Sequence, residues 1–87
     1  MNDDEIWELA GFVSASIYRK SIMLSLQENV KIPSEIAEDI NLRTNHVSNI
    51  LKDLKDKELV FCLNSDAKKG RLYKITDLGN KVMKVLK

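Results

Sequence analysis

The chain is poor in the residues that cross-link, kink or loosen a small protein. It has one cysteine, one proline and three glycines among 87 residues, and only 6% of it is aromatic. One cysteine excludes an internal disulfide, and the apolar neighbours of Cys62 favour a buried thiol in a reducing compartment. No apolar run approaches the roughly 20 residues that span a bilayer, and the acidic start of the chain is unlike a signal peptide. We therefore expect a cytoplasmic protein that does not enter a membrane.

The sequence also lacks a strong net charge. Its 14 basic and 13 acidic residues leave a net charge of +1, and its pI of about 7.8 is below that of an obvious nucleic-acid-binding protein. The charges are distributed unevenly, since residues 1–15 hold four acids and no base whereas residues 64–87 hold seven bases and two acids. Part of this excess complements the dipole of a C-terminal helix. The cations outside that helix need another explanation: Lys68, Lys69, Arg71 and Lys74.

Residues for catalysis or for metal binding are scarce as well. His46 is the only histidine, and no second cysteine is present to complete a metal site with it. We find no nucleophile beside a base, no glycine-rich phosphate loop and no paired carboxylates in a plausible pocket. We therefore expect a protein that is not an enzyme and that holds no metal or other cofactor.

The stretch from Pro33 to Leu59 predicts two helices joined by a tight turn. Pro33 suits the first position of a helix, and Asn41 tolerates the left-handed conformation that ends one. The apolar residues recur at helical spacing: Ile36, Ala37, Ile40, Val47, Ile50, Leu51 and Leu54. The small Ala37 allows the two helices to approach closely. This spacing resembles the helix-turn-helix of DNA-binding proteins, although any two-helix hairpin in a small bundle could show part of it.

Further helices and a hairpin surround this stretch. A first helix ends before Ser16, which we expect to cap a second, central helix whose apolar residues are largely buried: Ile17, Met23, Leu24 and Leu26. The short segment 30–32 could pair at a sheet edge. Residues 59–63 and 71–75 predict two strands around a polar loop with Gly70, and Thr76 is expected to cap a last helix.

From Ser16 onward the predicted order is a central helix, the two helices of the helix-turn-helix, of which the second is recognition-like, and a hairpin with a basic tip. This is the order of a winged helix-turn-helix. The chain resembles the small archaeal-type winged helix-turn-helix transcriptional regulators of the MarR and ArsR families over residues 4–86. The resemblance is carried by five segments and one further residue: Ser16–Met23, Pro33–Ala37, His46–Leu54, Cys62–Asn64, Gly70–Thr76 and Gly79. Two residues depart from the pattern, because Glu58 replaces the usual glycine before Leu-Val and Ile32 replaces a capping threonine.

The resemblance implies a mainly α fold with a small β-hairpin. A single winged helix-turn-helix domain would occupy residues 1–87, with the helix-turn-helix at about 33–57 and the wing at about 59–76. A helical core would carry the β-wing, and extra helices would lie at the N- and C-terminal ends. The function it implies is sequence-specific binding of double-stranded DNA by a transcriptional regulator. The alternative is a winged helix that makes protein–protein contacts within a transcription complex.

Advancing about 100° per residue along the recognition-like helix, the second of the helix-turn-helix, separates a buried side from a polar one. The polar side begins with amide, hydroxyl and imidazole groups, which suit base edges in the major groove, and the hairpin tip supplies cations for phosphate or the minor groove. A solvated helix face and a merely soluble loop are the alternatives. We predict these DNA-binding residues: Ser34, Arg43, Thr44, Asn45, His46, Ser48, Asn49, Lys52, Lys68, Lys69 and Arg71.

A second copy of the chain is the other expected partner. One module of this kind buries only about 600–1,000 Å² on DNA, so a homodimer is the natural way to gain affinity and symmetry. Trp7, Phe12 and Met83 fall off the apolar stripes of the terminal helices, and we predict that they contact the partner. The sequence does not identify a small-molecule effector, an operator or a regulated gene.

Overall fold

Five helices and a two-stranded antiparallel sheet form the protein over residues 3–86, the range that this computed structural model describes. The elements follow in this order: α1 (Asp3–Ser14), α2 (Ile17–Glu28), α3 (Pro33–Ile40), α4 (Thr44–Asp56), β1 (Val60–Cys62), β2 (Tyr73–Ile75) and α5 (Asp77–Val85). The mainly α fold with a small hairpin is therefore confirmed. Both strands are shorter than predicted, at three residues each.

The predicted capping residues begin their helices as expected. The Ser16 hydroxyl accepts the backbone N–H of Arg19 at 3.3 Å at the start of α2, and the Thr76 hydroxyl accepts that of Gly79 at 2.9 Å at the start of α5. Ile32 offers no side-chain cap to α3. The Glu35 carboxylate instead accepts the N–H of Ile32 at 3.0 Å, which satisfies one donor at that end.

Within residues 3–86, two residues other than glycine adopt the left-handed conformation, and both end a helix. Asn41 has φ 58° after α3, which confirms its predicted role in the turn. Glu58 has φ 61° after α4, at the position where the resemblance leads one to expect glycine. Its carbonyl accepts the hydroxyl of Thr76 at 2.7 Å. This contact ties the end of α4 to the start of α5 and holds a conformation that costs about 1–2 kcal/mol in a residue with a Cβ.

α2 lies at the centre of the fold and packs against the other helices and β2. Its buried apolar residues are Ile22, Met23 and Leu26. The prediction that Ile17 and Leu24 are also largely buried is wrong, since they are 73% and 46% exposed. An apolar helix surface does not specify which part is covered, and here the other elements leave one side of α2 to solvent.

The hairpin joins the helical core through β2. Val60 pairs with Ile75, Phe61 with Lys74 and Cys62 with Tyr73 in antiparallel register. On its other edge Tyr73 exchanges backbone hydrogen bonds of 2.9 and 3.2 Å with Lys31. The segment before α3 therefore pairs at a sheet edge, as predicted, and it fixes the hairpin relative to α3 and α4.

A polar network under this segment links α2 to α3. Lys31 Nζ lies 2.5 Å from Asp39 Oδ2, 3.0 Å from Glu28 Oε1 and 3.0 Å from the hydroxyl of the buried Ser25. Desolvation lowers the pKa of Lys31, but hydrogen bonds to the two carboxylates, together with their charges, outweigh it and leave the pKa raised. The hydrogen bond from Lys31, followed by one from Ser25, lowers the pKa of Asp39. The network keeps both partners charged near neutral pH.

Candidate nucleic-acid interface

An open cleft of about 610 Å³ lies between the start of α3, one side of α4 and the hairpin loop. Its lining comprises Ile32, Pro33, Ser34, Thr44, Ser48, Lys52, Lys55, Lys68, Lys69, Gly70, Arg71 and Tyr73. Five of these residues are basic, and among the described residues that line the cleft none is acidic. We call it the cationic cleft. Seven of the eleven predicted DNA-binding residues meet there: Ser34, Thr44, Ser48, Lys52, Lys68, Lys69 and Arg71.

The other four predicted residues lie outside the lining of the cleft. Arg43 is exposed at the position preceding α4. Asn45 and Asn49 are exposed one turn apart on the outermost face of α4. Within residues 3–86 neither of these two side chains has a hydrogen-bond partner, so both amides are available to a ligand. His46 is exposed on the flank of α4 that faces α2, where its ring contacts that of Tyr18.

The buried side of α4 explains why these side chains point outward. Val47, Leu51 and Leu54 are fully buried and Ile50 is nearly so, in the pattern that the helical spacing predicted. The remaining circumference is polar and exposed. Residues directed toward the hairpin line the cationic cleft, the two asparagines occupy the middle, and His46 occupies the far flank. α4 thus presents three adjacent chemical surfaces on its solvent side.

Asn64 shapes the hairpin loop that carries the basic tip. Its side-chain oxygen accepts the N–H of Leu72 at 2.7 Å, and its amide donates to the carbonyl of Gly70 at 3.2 Å. Gly70 has φ 65°, a left-handed conformation that suits glycine. The side chain of Arg71 donates to the carbonyl of Ala67 at 2.7 Å. These bonds hold the loop folded back toward α4 without involving Lys68 or Lys69.

Two residues of the site were missed in the sequence. Lys55 lines the cationic cleft, and it follows Ser48 by seven residues, so the same helical spacing that selected Ser48 would have identified it. Asn64 was predicted to lie in the wing and its polar loop, but no role was predicted for its side chain. Its role in shaping the loop depends on hydrogen bonds to backbone groups six and eight residues away, and no local sequence pattern predicts such contacts.

The three residues predicted to contact a second copy of the chain differ in how exposed they are. Trp7 is 64% exposed on α1, as its place off the apolar stripe predicted. Phe12 is half-buried, and its ring is covered by the Arg19 guanidinium at 3.9 Å and approached by Lys57 at 5.4 Å. Met83 was predicted to lie off the core of α5, and that is wrong: it is 2% exposed. It reaches the surface only within an apolar groove shared with Leu24.

Residues 3–86 contain no group of three or more histidine, cysteine or acidic side chains that could hold a metal ion. No helix over the same residues is both long enough and apolar enough to pass through a bilayer.

Comparison with known proteins assigns the fold to a family. A family model described as winged helix-turn-helix matches residues 16–87, so the chain belongs to the winged helix-turn-helix family. In this fold α3, the turn at Asn41 and α4 are the helix-turn-helix, and the hairpin is the wing. A search of curated proteins found no match to the sequence.

A solved structure has the same fold. It is the homodimeric winged helix-turn-helix DNA-binding domain of Mb0332 from Mycobacterium bovis, a possible ArsR-family transcriptional regulator. The two superpose with a TM-score of 0.74 and 20% sequence identity, over 99% of this chain and 84% of the other. At that identity the likeness concerns the fold, and it confirms the predicted winged helix-turn-helix architecture.

Proposed function

We propose that this protein is a transcriptional regulator that binds double-stranded DNA sequence-specifically. The observation that carries the proposal is the cationic cleft, whose five basic residues adjoin the exposed amide face of α4. Cations that neutralise phosphates supply much of the affinity for DNA, and side chains that reach base edges supply the specificity. Both kinds of group occur here side by side on one surface.

In the proposed complex α4 enters the major groove with its N-terminal half leading. Asn45 and Asn49 are of the right chemistry to form bidentate hydrogen bonds with adenine. The cations of the cleft contact the backbone on the wing side, and the wing tip follows the phosphates or the adjacent minor groove. Ser34, at the start of α3, lines the same cleft and offers a hydroxyl to a phosphate.

We propose further that the protein acts as a homodimer in the cytoplasm, as one domain over residues 1–87. The structural neighbour is homodimeric and is a possible ArsR-family regulator, which supports the dimer and the ArsR resemblance more than the MarR or archaeal one. Trp7 remains the best candidate contact, because a large aromatic ring exposed on a helix is commonly covered by a partner. Sedimentation should show a dimer, and Trp7→Ala should shift it toward the monomer.

The proposal is tested by selecting bound sequences from a random double-stranded library. The wild type should enrich a defined motif, whereas Asn45→Ala or Asn49→Ala should relax the preference at one position by about 1–3 kcal/mol. Asn29→Ala, which removes an exposed asparagine at the end of α2, is the matched control and should leave the motif unchanged. Failure of the wild type to enrich any motif would refute sequence-specific binding.

A second candidate function is contact with another protein in a transcription complex. It is favoured by Phe61 and Leu63, which are exposed large apolar residues on the wing. Large apolar groups on a surface are typical of protein interaction sites when they are contiguous. In the library experiment this function predicts weak binding without a motif. Substitution of Phe61 and Leu63 by serine would then abolish the protein contact and leave DNA binding unaffected.

A further inference from the structure

Two aromatic rings meet on the flank of α4 that faces away from the wing. The rings of Tyr18 on α2 and His46 on α4 lie with their centroids 5.4 Å apart and their planes at 64°, an edge-to-face contact. Tyr18 is 44% exposed and His46 is also exposed, so the pair is not part of the core. Within residues 3–86 neither the Tyr18 hydroxyl nor the His46 ring nitrogens have a hydrogen-bond partner.

We propose that Tyr18 extends the DNA interface onto α2, where it positions His46 and donates its own hydroxyl to a phosphate. This inference rests on the proposed function and adds a second boundary to the interface. The wing cations would contact the backbone on one side of α4, and Tyr18 would contact it on the other. Asn45 and Asn49 lie between these two boundaries on the helix.

The helical geometry of α4 supports this arrangement. Steps of about 100° per residue direct Thr44, Ser48 and Lys52 toward the wing and direct His46 to the opposite flank. The observed contacts agree, since the first three residues line the cationic cleft and His46 touches Tyr18. A recognition helix in the major groove, which is about 12 Å wide, has a phosphate backbone on each side. The flank of α4 opposite the wing therefore faces a backbone of its own.

The chemistry of the pair suits that position. Tyrosine is among the side chains that donate to phosphate oxygens. The edge-to-face contact with Tyr18 restricts the His46 imidazole to fewer rotamers, which reduces the conformational entropy that it would lose on contacting a base. Ser16 caps α2 two residues earlier and fixes the turn from which Tyr18 projects. The exposed contact between Tyr18 and His46, which lies outside the core, would therefore serve to bind DNA.

The test uses the duplex selected by the wild-type protein and two substitutions of Tyr18. Tyr18→Phe keeps the ring contact and loses the hydroxyl, so it should weaken binding to every duplex alike by about fivefold or more. The salt slope should not change, because a neutral hydroxyl releases no counterion from DNA. Tyr18→Ala also releases His46, so it should in addition relax the base preference at one position by about fivefold or more, and His46→Ala should relax the preference at the same position. Leu24→Ala, on another face of α2, is the control and should change neither the affinity nor the base preference.

The outcomes distinguish this inference from the proposed function. If the wild type selects no duplex, the proposed function fails and the role of Tyr18 fails with it. If the wild type binds its duplex but both Tyr18 variants keep its affinity and base preference, only the inference about Tyr18 is overturned. Circular dichroism establishes that each variant is folded. Should Tyr18→Ala not fold, the affinity of Tyr18→Phe for the selected duplex still decides the question.

Discussion

The wing cations allow the sharpest test of how the protein would hold DNA. Lys68, Lys69 and Arg71 line the cationic cleft with Lys52 and Lys55. We consider a triple variant in which the three wing residues are replaced by glutamine. The substitution removes three positive charges from one edge of the cleft and leaves the two lysines of α4, together with the amide face of that helix, intact. It should therefore reduce affinity for every sequence and preserve the preferred motif.

The magnitude follows from the number of cations in the cleft. Each phosphate that a cation neutralises contributes about −0.9 to the slope of log affinity against log salt. Five such contacts give a slope of about −4.5 per protomer, so raising salt from about 50 to 200 mM should weaken binding about 500-fold. Two remaining contacts give a slope of about −1.8 and a loss of about 12-fold over the same range. A dimer doubles both slopes.

Fluorescence anisotropy with a labelled duplex across a salt series measures these slopes. The control is a second triple variant in which Lys20, Lys81 and Lys84 become glutamine, because these exposed cations lie outside the cationic cleft. Both variants change the net charge of +1 by the same three units, so they separate a local contact from an overall attraction. Equal slopes for the two variants, or a wild-type slope near zero, would refute the reasoning.

Three further substitutions test the fold that supports the interface. Gly79→Ala should destabilise the protein by about 1–3 kcal/mol in thermal unfolding, because the added methyl carbon would overlap the backbone carbonyl oxygen of Leu59 and lie 2.7 Å from Cγ1 of Ile75; Gly11→Ala, in open space, should be neutral or stabilising. Asp39→Asn should reduce the loss of stability between neutral pH and about pH 3, measured by urea unfolding. Because folding lowers the pKa of Asp39, its carboxylate stabilises the fold at pH values above its pKa in the unfolded state. That stabilisation is lost as the pH falls through the pKa of Asp39 in the folded state. Asn64→Ala should weaken duplex binding and flatten its salt slope while secondary structure is retained, and an unchanged slope would contradict the role of Asn64 in the wing.

The elements of the fold were predictable because their signals are local. Ser16 and Thr76 mark helix starts through hydroxyl groups that cap the next turn, and Asn41 marks a helix end through its tolerance of positive φ. Which residues of α2 are buried was not predictable in the same way. The Ser25 hydroxyl is buried, and there it donates a hydrogen bond to Asp39 and accepts one from Lys31. Apolar residues of the same helix are exposed instead.

In the candidate site, too, the features that depend on local sequence were predictable and those that depend on tertiary packing were not. Residues of α4 were predicted well, because the buried side of an amphipathic helix determines its outer side. The net charge of the chain gave a misleading signal, since the exposed acids of α1 cancel the bases that gather in the cationic cleft. The contact between Tyr18 and His46 joins residues 28 positions apart. It depends on the packing of α2 against α4, which no local sequence pattern predicts.

The most direct test of the central claim is an NMR titration of the nitrogen-labelled protein with the duplex selected from the random library. If α4 and the wing form the interface, the amide signals of residues 44–52 and 68–71 should shift most, and those of the outer faces of α1 and α5 should stay in place. Shifts confined to α1 and α5, or no shifts at concentrations of duplex that saturate binding, would contradict the account.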